Sequence, residues 1–319
     1  MQPLLEINNL TTTFYLKAGP VQAVNNVSLT LNQGQSLALV GESGCGKTML
    51  ALSILGLVPS PPGKITHGSV IFQGQDLTQM SESQLRTIRG NKISMIFQEP
   101  MSALNPVFRV GAQISESLVF HKNMSSKEAW QKGIEMMKLV GIPAPSERCN
   151  DFPHQLSGGM RQRIIIAMAL ACSPDIILAD EPTTALDVTI QAQILELLRG
   201  LQEQGKTSTI VITHDLGVVA QLCNEMAVMY AGQIVEQGSV ERVLDDPGHP
   251  YTKGLLNSLP RLDSDEKLMP IPGTVPEISA LPSGCSFHPR CPRKMDICSQ
   301  QEPPAIQRKS LIRCWLYHE

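Results

Sequence analysis

The sequence predicts an α/β fold built around a parallel sheet, followed by a small, loop-rich extension that contains several cysteines. Up to about residue 240, short runs that are apolar at nearly every position alternate with helical stretches, which is typical of strands covered on both faces. After Leu244 the composition changes to many prolines, and four of the eight cysteines lie in the last 35 residues.

Four apolar runs are predicted to be strands, at residues 36–40, 92–97, 175–180 and 207–213. A helix is predicted between the last two, because Asp187 can cap its start, apolar residues recur at helical spacing, and Gly205 suits the position after its end. Another helix is predicted to begin after Ser125. We expect two domains, residues 1–244 with a helical subdomain at about 99–170, and residues 245–319.

Composition limits the class of protein. The chain has 319 residues, of which 42% are hydrophobic and 17% charged, and this excludes wholesale disorder. A net charge of −3 argues against a strong, non-specific nucleic-acid binder. No apolar run approaches the roughly 18–20 residues that cross a bilayer, and no signal-peptide pattern begins the chain, so we expect a soluble, intracellular protein.

Residues 41–48 fit the phosphate-binding P-loop pattern and lie between a predicted strand and an apolar helix. Glycines let successive backbone N–H groups point at phosphate oxygens, and the helix start adds partial positive charge. Lys47 is expected to reach the β- and γ-phosphates, and the Thr48 hydroxyl to ligate Mg²⁺. The loop consists of Gly41, Glu42, Ser43, Gly44, Cys45, Gly46, Lys47 and Thr48.

Two carboxylates, Asp180 and Glu181, end the strand predicted at residues 175–180. Ligands of open α/β sheets bind at the carboxyl ends of the strands, where these side chains would lie. Asp180 is expected to hold Mg²⁺, through water, and Glu181 to polarise an attacking water.

Residues 156–163, Leu-Ser-Gly-Gly-Met-Arg-Gln-Arg, resemble the signature motif of ABC-transporter ATPases. Other elements of that family are present in its order, namely Gln98 in a Q-loop, Asp187 in a D-loop and His214 after the strand at 207–213. The resemblance covers about the first 260 residues. It implies the P-loop NTPase fold of an ABC ATPase domain, with a RecA-like core, an antiparallel β subdomain and a helical signature subdomain.

The resemblance also implies a head-to-tail dimer, in which each ATP is held by the P-loop of one subunit and the signature motif of the other. Ser157, Gly158 and Gly159 would supply a second group of backbone N–H donors at a helix start, facing the γ-phosphate. ATP would join the two subunits, and hydrolysis would let them separate.

In the same scheme Glu181 is the general base, and His214 contacts the γ-phosphate. Gln98 senses Mg²⁺, the attacking water and the neighbouring membrane subunit. Asp187 belongs to the nucleotide site through the D-loop. Phe14, in preference to Tyr15, falls where the family places an aromatic ring against adenine.

Two positions depart from the pattern common in the family. The signature has Met160 where many relatives have Gln, and the P-loop has Cys45 where Ser is common. Neither side chain is needed for the backbone to grip phosphate. Because a helix N-terminus lowers the pKa of a thiol, Cys45 is expected to make the site sensitive to alkylation or oxidation.

Several passages resemble the oligopeptide/dipeptide importers in particular, at residues 98–106, 153–160 and 185–193. Residues 249–252 and 255–260 resemble the C-terminal extension of that subfamily. Importers of nickel and of some glutathione- or antimicrobial-peptide-type substrates share much of this sequence, so a nickel or other small-solute importer stays open as an alternative.

The four C-terminal cysteines suggest one soft metal centre, because four thiols in a reducing compartment are rarely disulfides. The spacings between them are five, six and fifteen residues, unlike the close pairs common in zinc sites. Dipeptide-type ATPase subunits have the same spacing and some bind a [4Fe–4S] cluster, so the resemblance favours iron–sulfur over zinc. Four unlinked thiols are the remaining alternative. The cysteines are Cys285, Cys291, Cys298 and Cys314.

A different class, an ABC ATPase of DNA repair or translation, fits the sequence poorly. Such chains have two cassettes or a long coiled coil between P-loop and signature, whereas Lys47 and Ser157 are 110 residues apart with no sustained heptads between them. A P-loop kinase or GTPase would have no reason for a second glycine motif at residues 157–159.

The importer resemblance implies partners that cross the membrane. We expect two permease subunits, a second, similar ATPase subunit and an extracytoplasmic solute-binding protein, and no nucleic acid. The chain would lie peripherally at the cytoplasmic face of the inner membrane, with permease helices docked near Gln98 and the helical insertion.

Overall fold

The structure is a computed structural model that describes residues 3–98, 103–183, 188–203, 205, 207–258 and 270–318. The chain divides into two compact units. The first unit comprises residues 1–31, 37–78 and 213–319, and the second comprises residues 32–36 and 79–212.

The strands in chain order are β1 (Leu5–Leu16), β2 (Gly19–Leu31), β3 (Ser36–Val40), β4 (Gly63–Phe72), β5 (Gln75–Asp76), β6 (Ile93–Ile96), β7 (Ile176–Asp180), β8 (Ser208–Ile212), β9 (Glu225–Tyr230), β10 (Gln233–Ser239), β11 (Ala305–Gln307) and β12 (Leu311–Arg313). The helices are α1 (Lys47–Ile54), α2 (Glu82–Ile88), α3 (Val110–Lys122), α4 (Ser126–Leu139), α5 (Pro145–Arg148), α6 (Gly158–Leu170), α7 (Val188–Glu203), α8 (Leu216–Leu222), α9 (Val240–Asp245) and α10 (Pro250–Asn257). Short 3₁₀ turns lie at Leu77–Gln79, Pro153–Gln155, Ile278–Ala280, His288–Arg290, Asp296–Ser299 and Trp315–Tyr317.

The first unit contains two sheets. One is antiparallel with the strand order β2-β1-β4-β5, and Leu5 of β1 pairs with Leu31 of β2 and Phe72 of β4. Leu10 of β1 and Val24 of β2 are fully buried and contribute to the core of this sheet. This sheet is the antiparallel β subdomain that the family resemblance implies.

The second sheet of the first unit has the order β11-β12-β10-β9-β3. Strand β3 is parallel to β9, with Val40 paired to Val228, while β9, β10, β12 and β11 are joined antiparallel. All five residues of β3 are buried, as expected for a central strand covered on both faces.

The C-terminal extension is loop-rich, as predicted, and is attached to this sheet through β12. Glu236 of β10 pairs with Ile312 of β12 and is fully buried. Its carboxylate accepts the N–H groups of Gly248 and His249 and the hydroxyl of Ser310. These bonds satisfy the buried charge and hold both parts of the extension against β10.

The second unit contains the parallel strands β8, β7 and β6 in that order. Leu178 of β7 pairs with Met95 of β6 and Ile210 of β8. Helices α3, α4 and α6 pack against one another and form the helical part of the unit, as predicted. Ser125 caps α4 in a capping box with Glu128, which explains the helix start predicted there.

The four predicted strands are confirmed to within one residue at each end. The helix predicted before Gly205 is confirmed as α7, and Gly205 has a φ of +66° just after its end. Across the residues described above, no helix combines the length and the apolar character required to traverse a bilayer.

Candidate functional site

The P-loop joins β3 to α1 in the first unit, as predicted. Gly44 and Gly46 have φ angles of +78° and +105°, which side chains rarely adopt. A Cβ atom at Gly46 would collide with the carbonyl oxygen of Ala23, whereas one at Gly44 would meet nothing within 4 Å. Gly46 is therefore required by packing, whereas Gly44 is required by its positive φ angle. The open space beside Gly44 can receive a phosphate group.

Lys47 begins α1 and is 8% exposed. Its ammonium Nζ donates to the carbonyl oxygens of Gly41 and Glu42, at 2.8 and 2.9 Å. The ammonium group of Lys47 is thus bonded to the first two residues of the loop that it is predicted to serve. Thr48 follows in the first turn of α1 and is exposed, as is Ser43 in the loop.

The expected reactivity of Cys45 is wrong. Cys45 is fully buried, and its Sγ lies 3.6 Å from Lys47 Nζ. Burial raises the pKa of the thiol, and this exceeds the lowering by Lys47. The helix N-terminus does not lower the pKa of Cys45 below its ordinary value, because the sulfur is fully buried and the cost of desolvating the thiolate dominates.

Two residues that contact the P-loop, Tyr251 and Arg290, were not predicted from the sequence. The N–H of Glu42 donates to the Tyr251 hydroxyl at 2.9 Å, and the Glu42 carboxylate forms a bidentate ion pair with Arg290 at 2.8 and 2.9 Å. Tyr251 lies in a passage that resembles the subfamily, but nothing in that resemblance indicates a contact 209 residues away.

His214 and the P-loop line the same small cavity of the first unit, about 190 Å³ in volume. Gly41, Glu42 and Ser258 are among the other residues that line it. His214 is exposed and follows Thr213, whose N–H donates to Leu39 of β3. The structure therefore brings this predicted residue to the edge of the P-loop.

In the second unit, three predicted residues meet at the carboxyl ends of β6 and β7. Gln98 follows β6, and its Nε2 donates to the Glu181 Oε2 at 2.9 Å. Asp180 ends β7 and is 2% exposed. Parallel pairing of β6 with β7 places these chain ends side by side, which explains the contact.

Glu181 has an unusual backbone. Its φ is +46°, a left-handed conformation that a glutamate adopts at a cost of about 1–2 kcal/mol. Its N–H donates to the carbonyl of Ile212 at 2.8 Å, which holds the residue as β7 turns away from the sheet. This turn aims the carboxylate at Gln98, and strain of this kind clusters at functional sites.

The signature motif begins α6 of the second unit. Ser157 is the N-cap, and its hydroxyl accepts the N–H of Met160 at 3.3 Å. Ser157 and Gly158 are exposed, and no heavy atom lies within 4 Å of a Cβ built on Gly158. The helix start with its N–H groups is therefore presented on the surface, as predicted.

The two arginines after the signature secure this helix. Arg161 Nε donates to the carbonyl of Pro153 at 2.7 Å. Arg163 is 7% exposed and donates to the carbonyl oxygens of Val140 and Gly141, which cap the end of α4. These residues have a structural role that the motif comparison did not indicate.

Phe14 lies at the outer end of β1, where it pairs with Val21 and Gly63. Phe14 is half-buried, and Tyr15 beside it is 58% exposed. Asp187 lies outside the described residues.

The four C-terminal cysteines lie in one segment of the first unit. Burial, which is the largest cause, and the proximity of other cysteines together raise the pKa of Cys285 and of Cys314 to about 11. Cys298 and Cys314 are buried, whereas Cys285 and Cys291 are half-buried. Each of Cys285, Cys291 and Cys314 is influenced by the charge of at least one other of these cysteines.

The predicted metal centre itself is not supported. Among residues 3–98, 103–183, 188–203, 205, 207–258 and 270–318, no group of three or more His, Cys, Asp or Glu side chains is arranged to hold a metal ion. The thiols influence one another electrostatically, but the structure does not bring them into a coordinating group.

Comparison with known families gives two main matches. Residues 24–184 match the ABC transporter family, and residues 235–298 match the oligopeptide/dipeptide transporter, C-terminal region. A further match, at residues 151–220, is to the AAA domain described as a putative AbiEii toxin of a type IV toxin–antitoxin system. The second match includes Tyr251 and Arg290, the two residues that contact the P-loop and were not predicted.

Similar proteins and structures agree with these matches. The chain is 52% identical to the dipeptide transport ATP-binding protein DppD of Bacillus subtilis, over 99% of this chain and 95% of the relative. It is 50% identical to the oligopeptide transport ATP-binding protein AppD of the same organism, over 100% and 98%. The dimeric ATP-binding cassette MJ0796, in a post-hydrolysis state bound to ADP and Pi, superposes with a TM-score of 0.68 at 30% identity, over 74% of this chain and 98% of the cassette. The chain is an ABC ATPase, and it belongs to the family of oligopeptide and dipeptide transport ATP-binding proteins.

Proposed function

We propose that this chain binds and hydrolyses ATP to drive the uptake of di- or oligopeptides through partner permeases. The observation that carries the proposal is the P-loop geometry, in which Lys47 begins a helix and its ammonium group is bonded to the first two residues of the loop. Similarity to peptide transport ATP-binding proteins over almost the whole chain supports transport rather than DNA repair or translation. The same similarity supports a peptide rather than nickel as the transported substrate.

The P-loop would bind the phosphates of ATP. Backbone N–H groups around Gly44 and at the start of α1 would donate to phosphate oxygens. The Nζ of Lys47 would exchange the carbonyls of Gly41 and Glu42 for the β- and γ-phosphates, a short movement of a flexible side chain.

We also infer that Mg²⁺ accompanies ATP, since it is a hard cation that prefers oxygen ligands. The Thr48 hydroxyl, the Gln98 side-chain oxygen and the Asp180 carboxylate would hold it, the last through water. When bound, the ion neutralises charge that develops on the phosphates. Asp180 suits this role because a carboxylate that is 2% exposed is stabilised by a neighbouring cation.

Glu181 would be the general base. A water molecule attacks the γ-phosphorus, its proton passes to the Glu181 carboxylate, and the bond to the leaving ADP oxygen breaks, which yields ADP and phosphate. The hydrogen bond from Gln98 to Oε2 orients the Glu181 carboxylate, which would accept the proton. His214 would contact the γ-phosphate from the P-loop cavity.

Three further residues or motifs would complete the nucleotide site. Phe14 would stack on adenine, and its place at the outer end of β1 supports this. The exposed helix start at Ser157, Gly158 and Gly159 would grip the γ-phosphate of an ATP bound to a second ATPase subunit. Asp187 would act at the same dimer interface.

The membrane partners would dock on the helical part of the second unit. A cavity of about 450 Å³ lies between α3 and α4, with Phe120 and Trp130 in its lining. Phe120 is 55% exposed and Val119 is 40% exposed, so the rim is apolar. This surface would bind a cytoplasmic helix of a permease and hold the chain at the cytoplasmic face of the inner membrane.

Reconstitution tests the proposed function directly. The chain would be co-expressed with permease, solute-binding and ATPase partner subunits of a peptide importer, and the complex placed in liposomes that contain ATP. We expect uptake of a labelled di- or oligopeptide that stops without ATP. Nickel uptake without peptide uptake would overturn the peptide assignment, and copurified nucleic acid without permeases would overturn transport.

We also infer a soft metal centre at the four C-terminal cysteines, with [4Fe–4S] favoured over zinc. Backbone N–H groups favour the thiolate at three of them, from Phe287 to Cys285, from Arg293 to Cys291 and from Leu316 to Cys314. The fourth, Cys298, accepts the N–H of Met295 at 3.5 Å. Such bonds are typical of sulfurs that bind metal.

The visible absorption and metal content of anaerobically purified protein decide this point. A broad visible absorption band with about four irons per chain would support a cluster. One zinc per chain would support a zinc site. The absence of both iron and zinc would show that the thiols are unlinked.

A further inference from the structure

The second residue of the P-loop, Glu42, is fixed by two side chains from the C-terminal part of the chain. Arg290 NH1 and NH2 donate to the two carboxylate oxygens of Glu42 at 2.8 and 2.9 Å, across 248 residues of sequence. The hydroxyl of Tyr251 accepts the N–H of the same residue. Both the backbone and the side chain of Glu42 are therefore held from outside the nucleotide-binding loop.

Arg290 is itself held in place. Its side chain is 5% exposed, its Nε donates to the carbonyl of Pro272 at 3.0 Å, and its guanidinium lies 5.9 Å from the centre of the Tyr230 ring. A buried guanidinium with its donors directed to fixed partners loses little further entropy when it pairs with a carboxylate. The pair is thus preorganised by the segment that also carries Cys291.

Glu42 connects this pair to the phosphate-binding lysine. The carbonyl oxygen of Glu42 accepts Lys47 Nζ at 2.9 Å, so the position of Glu42 sets where the ammonium group lies. The charge of Glu42 also matters, because a carboxylate in the loop would repel a bound triphosphate. The bidentate pair with Arg290 neutralises that carboxylate.

We propose that Arg290 is a positioning residue for nucleotide binding, which fixes and neutralises Glu42 and so makes ATP affinity depend on the C-terminal segment. The inference rests on the proposed function, since it assumes that the P-loop binds ATP. Through Glu42, a change in the fold around Cys285 and Cys291 would reach the nucleotide site.

Binding of a fluorescent ATP analogue to the full-length chain, with Mg²⁺, tests the proposal. Arg290→Gln is expected to raise the Kd at least tenfold, because it leaves a carboxylate beside the phosphates. Arg290→Lys keeps the positive charge but cannot donate to both carboxylate oxygens of Glu42 in the same planar geometry. It is expected to raise the Kd at least threefold. The double variant Glu42→Gln/Arg290→Gln is expected to bind more tightly than Arg290→Gln alone.

A control in the same segment is Arg308→Gln, since Arg308 is exposed and contacts Tyr317 rather than the P-loop. It is expected to bind ATP within twofold of the natural chain. The defect of Arg290→Gln is expected to shrink as salt is raised, because screening weakens the repulsion, and a general loss of packing would not respond in this way.

Two results separate this inference from the proposed function. If Lys47→Ala abolishes binding while Arg290→Gln and Arg290→Lys bind like the natural chain, the P-loop binds ATP and the role of Arg290 is wrong. If Lys47→Ala binds ATP normally, the proposed ATP site is wrong. Should Arg290→Gln fail to fold by circular dichroism, Arg290→Lys decides the question, and an unchanged Kd overturns the proposal.

Discussion

Gln98 and Glu181 are joined by a hydrogen bond of 2.9 Å from the amide Nε2 to the carboxylate Oε2. Each follows a strand of one parallel pair, so the bond joins two loops at the carboxyl edge of the sheet. Glu181 also has a left-handed backbone, and its N–H is held by Ile212. The base predicted for hydrolysis is thus positioned by its own turn and by Gln98.

Gln98→Ala removes one of these constraints. Because Glu181 keeps its charge but loses an orienting donor, we expect kcat for ATP to fall about tenfold while the KM changes little. Steady-state ATP hydrolysis measures both constants. Gln131→Ala, at an exposed position of α4, is the matched control, and equal kcat values for the two variants would contradict the role of Gln98.

The burial of Cys45 predicts a slow reaction with alkylating reagents. Its pKa is raised, so little thiolate exists at pH 7, and the sulfur is closed off from solvent. We expect labelling of Cys45 by iodoacetamide, followed by peptide mass spectrometry, to be at least 100-fold slower than in the urea-unfolded chain, and to keep accelerating above pH 9. Labelling at the unfolded rate at pH 7 would contradict the structure.

His249 predicts how stability depends on pH. It is buried, its Nδ1 accepts the N–H of Tyr251, and burial lowers its pKa to about 3. The unfolded chain therefore binds a proton below its ordinary pKa of about 6.5 that the folded chain does not bind until about pH 3. Folding should lose about 1.4 kcal/mol per pH unit from this group as pH falls between those values.

Urea unfolding at pH 7, 6 and 5 measures this slope. His249→Asn keeps a capping acceptor and removes the titration, so its unfolding free energy should fall less steeply with decreasing pH. The control is His67→Asn, at an exposed position of β4. Identical slopes in the natural chain and in His249→Asn would show that His249 is not the group responsible.

The apolar rim between α3 and α4 predicts a permease contact. Phe120→Ser should reduce copurification of the permeases at least fivefold, because Phe120 is 55% exposed and would be buried by the partner. ATP binding by the isolated chain should be unchanged, because Phe120 belongs to the second unit and the P-loop to the first. Leu139→Ser, at another exposed apolar position, is the control. Full copurification of Phe120→Ser would place the permease elsewhere.

Local features explain most of what was predictable. The four predicted strands are rich in apolar residues, and Ser125 and Gly205 mark helix ends by chemistry that acts within one turn. The nucleotide motifs were equally readable, since Lys47, Ser157 and Glu181 lie in short patterns at the ends of strands or helices. Their placement in the structure follows from those local rules.

Contacts between distant parts of the chain were not predictable. Arg290 meets Glu42 only because the C-terminal segment is attached to the same unit through β12. The pKa of Cys45 was predicted in the wrong direction for a related reason, since burial depends on the closed loop around it and not on its neighbours in sequence. Both the contact between Arg290 and Glu42 and the pKa of Cys45 depend on long-range packing.

ATP turnover by Glu181→Gln in the reconstituted complex tests the central claim most directly. The variant should bind ATP with an affinity close to that of the natural chain, lower kcat by about 10²–10⁴, and hold the two ATPase subunits together in the presence of ATP. Turnover at the natural rate would contradict the assignment of Glu181 as the base and, with it, the mechanism proposed for this chain.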